Sequence, residues 1–239
     1  MALTKVIGAG VGSLTEDLAL SDSDKIKLGA GSDLQLYHDG THSYIDEVGT
    51  GSLYVRASII RWTNADGSET LGGVDADGGW FLKANNSNAL VIDTNGHITK
   101  PLQPAFMATQ VGGTVQSNIA NDTTLTLAVE RFDNNGDFAS NTFTAPVTGK
   151  YQMQFHGRFH QIDTGASWYR LNLVTSNYTY GSMIIDPNFS ADVNYYPFHF
   201  TYLVDMDASD TATVKFQQPD GAAQTDTSEI MFFSGYLVA

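Results

Sequence analysis

Short stretches of alternating apolar and polar residues, separated by tight-turn dipeptides, run through almost the whole chain. The turn dipeptides are Asp39-Gly40, Asp66-Gly67, Asp77-Gly78 and Asn95-Gly96. Asp-Gly and Asn-Gly favour the positive φ angles that tight hairpin connections require, and period-two alternation favours strands. No stretch shows a sustained helical period, so the sequence predicts an all-β fold that begins with short hairpins.

The two parts of the chain differ in composition. Residues 1–100 contain 14 of the 23 glycines but only 6 of the 27 aromatic residues. Aromatic side chains bury the largest area each, and an isolated hairpin is marginal in water, so this part is not expected to build a core alone. We expect identical chains to associate about an axis, so that their short apolar rows cover one another. An ordinary small β domain is the alternative.

A proline-containing segment separates the two parts. In Lys100-Pro101-Leu102-Gln103-Pro104 the prolines restrict φ and remove hydrogen-bond donors, which is typical of a linker. We therefore divide the chain into an N-terminal segment 1–24, a β-rich stalk region 25–100 and a C-terminal domain 101–239.

Longer alternating runs follow the linker. The run at 151–159 places Tyr151, Met153, Phe155, Gly157 and Phe159 on one face. Further strands are predicted at 105–108, 123–129, 168–174, 195–204, 211–216 and 230–238. Many strands with Gly, Asn and Asp turns between them predict a β-sandwich or jelly roll.

Three landmarks of this second part resemble the complement C1q-like globular domain. Residues 141–151 read Asn-Thr-Phe-Thr-Ala-Pro-Val-Thr-Gly-Lys-Tyr after an Asn-rich turn, Pro104-Ala105-Phe106 opens the domain, and Phe233-Ser234-Gly235-Tyr236-Leu237 closes it. The resemblance implies a jelly roll related to tumour necrosis factor, packed as a homotrimer. The residues assigned to core or trimer packing are Phe106, Phe143, Tyr151, Phe155, Phe233 and Tyr236.

The first part resembles segments of structural fibre proteins of marine bacteriophages. The resemblance covers 25–45, with Gly31 to Ile45 as its centre, and the join between 91 and 106. It implies a β stalk that carries the C-terminal domain as a tip, with residues 1–24 attached to another virion protein. Tail fibres, head fibres and other spikes share these features.

Composition and motifs exclude several classes of function. The formal net charge is −14, which disfavours binding to nucleic acid phosphates, and the absence of cysteine excludes disulfides and zinc–thiolate sites. No apolar run approaches the ~20 residues that span a bilayer, so we expect no membrane insertion, and the N-terminus lacks the apolar core of a secretory signal. P-loop, Gly-x-Ser-x-Gly and His-Glu-x-x-His motifs are missing, so we expect no enzymatic activity.

Two sets of side chains are candidate metal ligands. His156 and His160 have the same strand parity and would lie opposite His199, so that copies around a symmetry axis could bind a metal ion. Hydrogen-bonded histidines without metal are the alternative. Asp205, Asp207 and Asp210 lie in a predicted loop and could hold Ca²⁺, with a solvated turn as the alternative. We otherwise expect no cofactor.

Aromatic residues in predicted loops are the candidate receptor-binding residues. The aromatic candidates are Tyr178, Tyr180, Tyr195 and Tyr196, on whose rings a sugar could stack. Asn188 is the candidate hydrogen-bonding partner for that sugar. A protein interface and inward packing in a trimer core are the alternatives.

These features together predict a trimeric tail fibre or spike of a phage virion, whose tip attaches to a host-surface glycan or protein. A capsid head fibre or decoration protein without receptor binding is one alternative, and a cellular C1q-like lectin is another. A polysaccharide depolymerase would need paired carboxylates in a groove, and the sequence locates no such pair.

Overall fold

Every regular element that the computed structural model describes is a β-strand. The described residues are 17–110, 115–181 and 185–239. They include no helix with the length and apolar character needed to cross a membrane. The predicted all-β fold is confirmed, whereas residues 1–16 of the predicted attachment segment lie outside the described residues.

The described residues form two compact units, one ending at Ala57 and one running from Ser58 to Ala239. The boundaries predicted near residues 24 and 100 stay predictions. The first unit contains a three-stranded antiparallel sheet of β1 (Lys25–Leu28), β2 (Leu34–His38) and β3 (Ser43–Glu47). Tyr37 and Tyr44 pair across β2 and β3 with their rings stacked 4.7 Å apart. None of residues 17–57 is buried, so this sheet has no core of its own.

The second unit begins with a five-stranded antiparallel meander, here called the stalk sheet. Its strands are β4 (Ile60–Thr63), β5 (Thr70–Val74), β6 (Trp80–Ala84), β7 (Ser87–Ile92) and β8 (Ile98–Thr99), in that spatial order. The backbone N–H groups of Gly67, Gly78 and Gly96 each donate to the carbonyl oxygen three residues earlier. All four glycines of the predicted turn dipeptides have positive φ, which confirms the turns.

The rest of the second unit is a two-sheet sandwich. Its strands are β9 (Ala105–Thr109), β10 (Thr123–Thr124), β11 (Val129–Asp133), β12 (Phe138–Ala139), β13 (Thr142–Thr144), β14 (Gly149–His160), β15 (Arg170–Thr175), β16 (Thr179–Gly181), β17 (Tyr196–Met206), β18 (Thr211–Gln217) and β19 (Asp226–Leu237). One sheet has the order β11-β9-β19-β14-β17, and the other has the order β12-β13-β18-β15-β16 with β10 on β18. Neighbouring strands come from distant parts of the chain, as in a jelly roll.

The buried hydrophobic side chains of the described residues all belong to this sandwich, starting at Phe106. The face predicted for 151–159 is confirmed, because its aromatic residues and Met153 are buried between the sheets. Between residues 17 and 103, by contrast, the only buried residues are Gly72 and Gly73.

Two predicted strands differ from the structure. The strand predicted at 123–129 is wrong beyond Thr124, because the N–H groups of Thr126 and Leu127 donate to the side chains of Gln116 and Asn141 and not to a neighbouring strand. The strand predicted from residue 168 begins at Arg170.

Candidate binding site

Strand β14 defines the two ends of the sandwich. Its first residue, Gly149, pairs with Met206, and Phe159 near its last residue pairs with Tyr196. The chain arrives from the stalk sheet at the Gly149 end, because the carbonyl oxygen of Pro104 accepts a hydrogen bond from Leu237. We call this the near end and the His160 end the far end.

Most residues assigned to core or trimer packing lie between the sheets. Phe106, Phe143, Tyr151, Phe155 and Phe233 are buried. The Phe106 ring stacks on the ring of Phe143 at 4.8 Å and meets Phe233 edge-on at 5.1 Å. Burial raises the pKa of Tyr151, whose hydroxyl donates to the carbonyl oxygen of Val147. Tyr236 differs: 45% of it is exposed, and its hydroxyl donates to Gln152 on the outer face.

The predicted receptor-binding residues fall into two separate places. Tyr178 and Tyr180 pack against each other at 4.9 Å in the β15–β16 hairpin, whose turn is tied to the near end by the bond from Asn177 to Asp210. Asn188, Tyr195 and Tyr196 belong to the connection that leads into β17 at the far end. The structure therefore does not unite these residues in one aromatic cluster, and their binding roles stay predictions.

The candidate metal ligands are also separated. His156 pairs directly with His199, as predicted, whereas His160 lies four residues further along β14, next to Tyr195. The carboxylate of Asp210 accepts from the Asp207 N–H, which accounts for the geometry of this turn without an ion. Asp205 pairs with Lys150 in the β14–β17 ladder. No group of three or more such ligands converges in the described residues, and metal binding stays a prediction.

A cleft of about 340 Å³ opens on the far end of the sandwich, beside the last residues of β14 and the first residues of β19. Its lining includes Arg158, His160, Asp226, Ser228, Glu229 and Ile230. We call it the far-end cleft. The Nε atom of Arg158 and the Nε2 atom of His160 are buried and have no hydrogen-bond partner in the described part of the chain. Buried polar atoms without partners are costly, so these two atoms mark a place that a ligand or water can occupy.

Tyr195 packs against two of the residues that line the far-end cleft, Arg158 and His160. Its ring centroid lies 4.9 Å from the Arg158 guanidinium carbon and 4.7 Å from the His160 ring centroid, with the His160 ring nearly perpendicular. The side chain is nevertheless 63% exposed, and its φ is +68°. A bulky residue in the left-handed region costs energy and is held there by its surroundings, a condition that clusters at ligand sites.

Two carboxylates fix the loops that surround the far end. Asp163, which is nearly buried, accepts hydrogen bonds from the N–H groups of Gly165 and Ala222 and so joins two loops. Asp192 accepts from the Gln224 side chain at 2.8 Å and from the Thr164 N–H at 3.1 Å. These bonds, led by the one from Gln224, lower the pKa of Asp192. The far end is therefore a preorganised surface.

Arg158 was missed by the sequence predictions, and His160 was assigned only to metal binding. The sequence did contain a signal for the contact of Arg158 and His160 with Tyr195. If His156 pairs with His199, the same antiparallel register places His160 level with Tyr195. The pairing observed in β14 and β17 has this register up to Phe159 and Tyr196.

Comparison with solved structures finds chains of similar fold. The globular domain of a zebrafish complement 1qA protein superposes with a TM-score of 0.40 and 17% sequence identity, covering 57% of this chain and 98% of that chain. No protein-family model matches the chain, and no curated protein matches it in sequence. The jelly-roll description above follows from the strand order of this chain itself.

Proposed function

We propose that this chain is a non-enzymatic structural protein of a phage virion, a homotrimeric fibre or spike with a C1q-like jelly roll as its tip. The observation that carries the proposal is the absence of buried side chains before the sandwich. From residue 17 to residue 103 only two glycines are buried. Strands without a core are not stable alone in water, so these residues need partner surfaces.

Two neighbouring cross-strand rows on one face of the stalk sheet consist of apolar residues and a glycine. Cross-strand pairing aligns Ile60, Val74, Trp80, Ile92 and Ile98 in one row and Trp62, Gly72, Leu82 and Leu90 in the next. The most exposed members are Trp62 (46%), Trp80 (50%), Leu82 (52%) and Ile98 (65%). We call this the apolar face. Contiguous apolar patches of about 300–600 Å² are the largest that typical monomers expose, and such patches mark interaction sites.

The opposite face of the stalk sheet is polar and covered. The Arg61 guanidinium lies over the Phe81 ring at 5.0 Å and pairs with Asp75, and the Lys83 ammonium approaches the same ring at 5.6 Å. This face needs no partner, because the aliphatic stems and charged groups of the two cations already cover Phe81. The sheet is thus one-sided, with its apolar side left for association.

Further copies of this chain are the proposed occupants of the apolar face. A chain with a net charge of −14 repels its own copies, and only a surface free of carboxylates allows them close contact. The apolar face carries no charged residue in either row. Three copies around an axis would cover it and shield the edge strands β4 and β8.

The part of the outer face of the β11-β9-β19-β14-β17 sheet toward the near end, away from the far-end cleft, supports the same assembly at the tip. Phe132, Leu203 and Tyr236 are each about half exposed there. Leu203 and Tyr236 both pair with Gln152 and so lie in one cross-strand row. Tyr236 therefore has a proposed role in packing between chains and not in the core of one chain.

The virion location and the host contact rest on the resemblance of 25–45 and 91–106 to phage fibre proteins. Residues 1–24 would attach to another virion protein, and the tip would contact a host-surface glycan or protein. Three tips per fibre and several fibres per particle would multiply weak contacts into a firm attachment.

Immunogold labelling of purified virions tests the function. With antibodies against the sandwich, we expect gold at the ends of fibres on the tail. Gold on the capsid would support the head-fibre alternative instead. Unlabelled particles, with all of the chain in the soluble fraction of the lysate, would contradict a virion protein.

A further inference from the structure

We propose that the far-end cleft binds an acidic saccharide, with the Arg158 guanidinium holding the carboxylate and Tyr195 packing against the sugar ring. This inference deepens the proposed function, since it names the ligand class of the tip.

Arg158 is the residue that selects an anion. Among the described residues it belongs to no ion pair, although the chain has 26 acidic and only 12 basic residues. The Nε atom of Arg158 is buried and has no hydrogen-bond partner in the described residues. This N–H donor of the planar guanidinium group is therefore already removed from water and free to bond. A guanidinium in this state fits a carboxylate through two parallel hydrogen bonds. A single arginine in an acidic protein fits one carboxylate better than a polyanion.

Asp226 and Glu229 line the same cleft, but within the described residues neither forms an ion pair with Arg158. Asp226 uses one oxygen to accept from the Asn118 N–H at 2.7 Å and the other to accept from the Gln161 amide at 3.0 Å. Glu229 is exposed at the same cleft, where its carboxylate is available to accept hydrogen bonds from sugar hydroxyls. A ligand with several hydroxyls and one negative charge requires hydrogen-bond acceptors beside a cation, and the cleft supplies both.

Tyr195 supplies the surface for the sugar ring. The C–H face of a pyranose packs on an aromatic ring, whereas its hydroxyls need polar partners, and concave sites combine both kinds of group. The ring of Tyr195 is fixed by Arg158 and His160, yet most of the side chain faces solvent. A ring that is already ordered loses little conformational freedom when a ligand binds.

The location agrees with a receptor contact. The cleft lies at the end of the sandwich opposite to the point where the chain arrives from the stalk sheet. When the stalk points toward the virion, the far end points away from it. A ligand displayed on a large surface then meets this end of the sandwich first. The loops around it are tied by Asp163 and Asp192, so the site does not have to order on binding.

The test is an NMR titration of the full chain with D-glucuronate, D-glucose and acetate. We expect D-glucuronate to bind and to shift the signals of Arg158, His160 and Tyr195. D-glucose and acetate should bind at least about 10-fold more weakly, since each lacks either the charged hydrogen bond or the ring contact. Equal binding of D-glucose would overturn the acidic class, equal binding of acetate would overturn the saccharide, and no binding of D-glucuronate would overturn the site.

Variants with matched controls locate the binding. Arg158→Gln should weaken D-glucuronate binding by about 10-fold to 100-fold, the range for a hydrogen bond between charged groups, and Arg158→Lys by less. Arg131→Gln is the control, because Arg131 is exposed on β11 and outside the cleft. Tyr195→Ser should weaken binding, whereas Tyr54→Ser should not, because Tyr54 belongs to the other compact unit, where it is 76% exposed.

Thermal unfolding of each variant separates lost binding from lost folding. If Arg158→Gln unfolds, Arg158→Lys and Tyr195→Ser carry the test, and unchanged affinity in both overturns the inference. A chain that forms trimers and labels virions but ignores D-glucuronate overturns this inference alone. A monomeric chain that binds D-glucuronate at Arg158 overturns the trimeric fibre and leaves the cleft assignment intact.

Discussion

Trp62 and Trp80 lie on the same uncovered face of the stalk sheet, with ring centroids 6.4 Å apart and about half of each side chain exposed. A side chain built on Gly72 would meet Leu82 and Trp62, so the two rings and Leu82 form one closely spaced apolar patch across two neighbouring rows. It is the structural reason for expecting partner chains.

Replacing Leu82 with Asp should dissociate the assembly. Leu82 is half exposed within one chain, so the change costs the single chain little, but in the assembly it buries a carboxylate among apolar groups. Lys83→Asp is the control, since it alters the neighbouring residue on the opposite face, next to Phe81. Light scattering after size exclusion should show a lower mass for Leu82→Asp only. An unchanged mass for Leu82→Asp would argue against the apolar face as the contact.

Phe106→Ala should destabilise the sandwich by about 3–5 kcal/mol, the usual loss for a buried aromatic residue. Phe106 stacks with Phe138 and Phe143 between the sheets, and its removal leaves a cavity that these rings cannot fill. Tyr236→Phe is the control, because it removes only an exposed hydrogen bond to Gln152. Denaturant unfolding gives the free energies, and equal losses in both variants would contradict this core.

The turns and the core-facing strand of this fold could be predicted from the sequence because their signals are local. Asp77-Gly78 needs only its own dipeptide to specify a turn, and Tyr151 to Phe159 alternate within one strand. The end of β10 could not be predicted, since Leu125 and Leu127 keep the buried alternation of a strand while the side chains of Gln116 and Asn141 accept hydrogen bonds from the next two N–H groups. The grouping of the candidate binding residues could not be predicted either, because the strand order places Tyr178 at the near end and Tyr195 at the far end.

Asp163→Ala should loosen the far end and cost about 1–3 kcal/mol, because two backbone N–H groups lose a buried acceptor. The affected groups are those of Gly165 and Ala222. Hydrogen exchange at these two amides should become faster, while the β14–β19 ladder keeps its protection. Asp186→Ala, at an exposed position, is the control. Unchanged exchange in Asp163→Ala would show that other contacts hold the loops.

Acid should release the contact between Asp192 and Gln224. The pKa of Asp192 lies below its ordinary value of 3.8 in the folded chain, because the ionised carboxylate accepts these hydrogen bonds. Its stabilising contribution is therefore complete above the unfolded pKa of about 4 and is lost as the pH falls through the lower folded pKa. The side-chain NH₂ signals of Gln224 should titrate below pH 4. Asp192→Asn should abolish the titration, and its persistence in that variant would assign it to another group.

Sedimentation equilibrium of the full chain at micromolar concentration tests the shared apolar face most directly. The chain mass is 25.8 kDa, and the trimeric fibre predicts a species of three times this mass that persists on dilution. A single species of 25.8 kDa, folded and stable across the same dilution series, would contradict it.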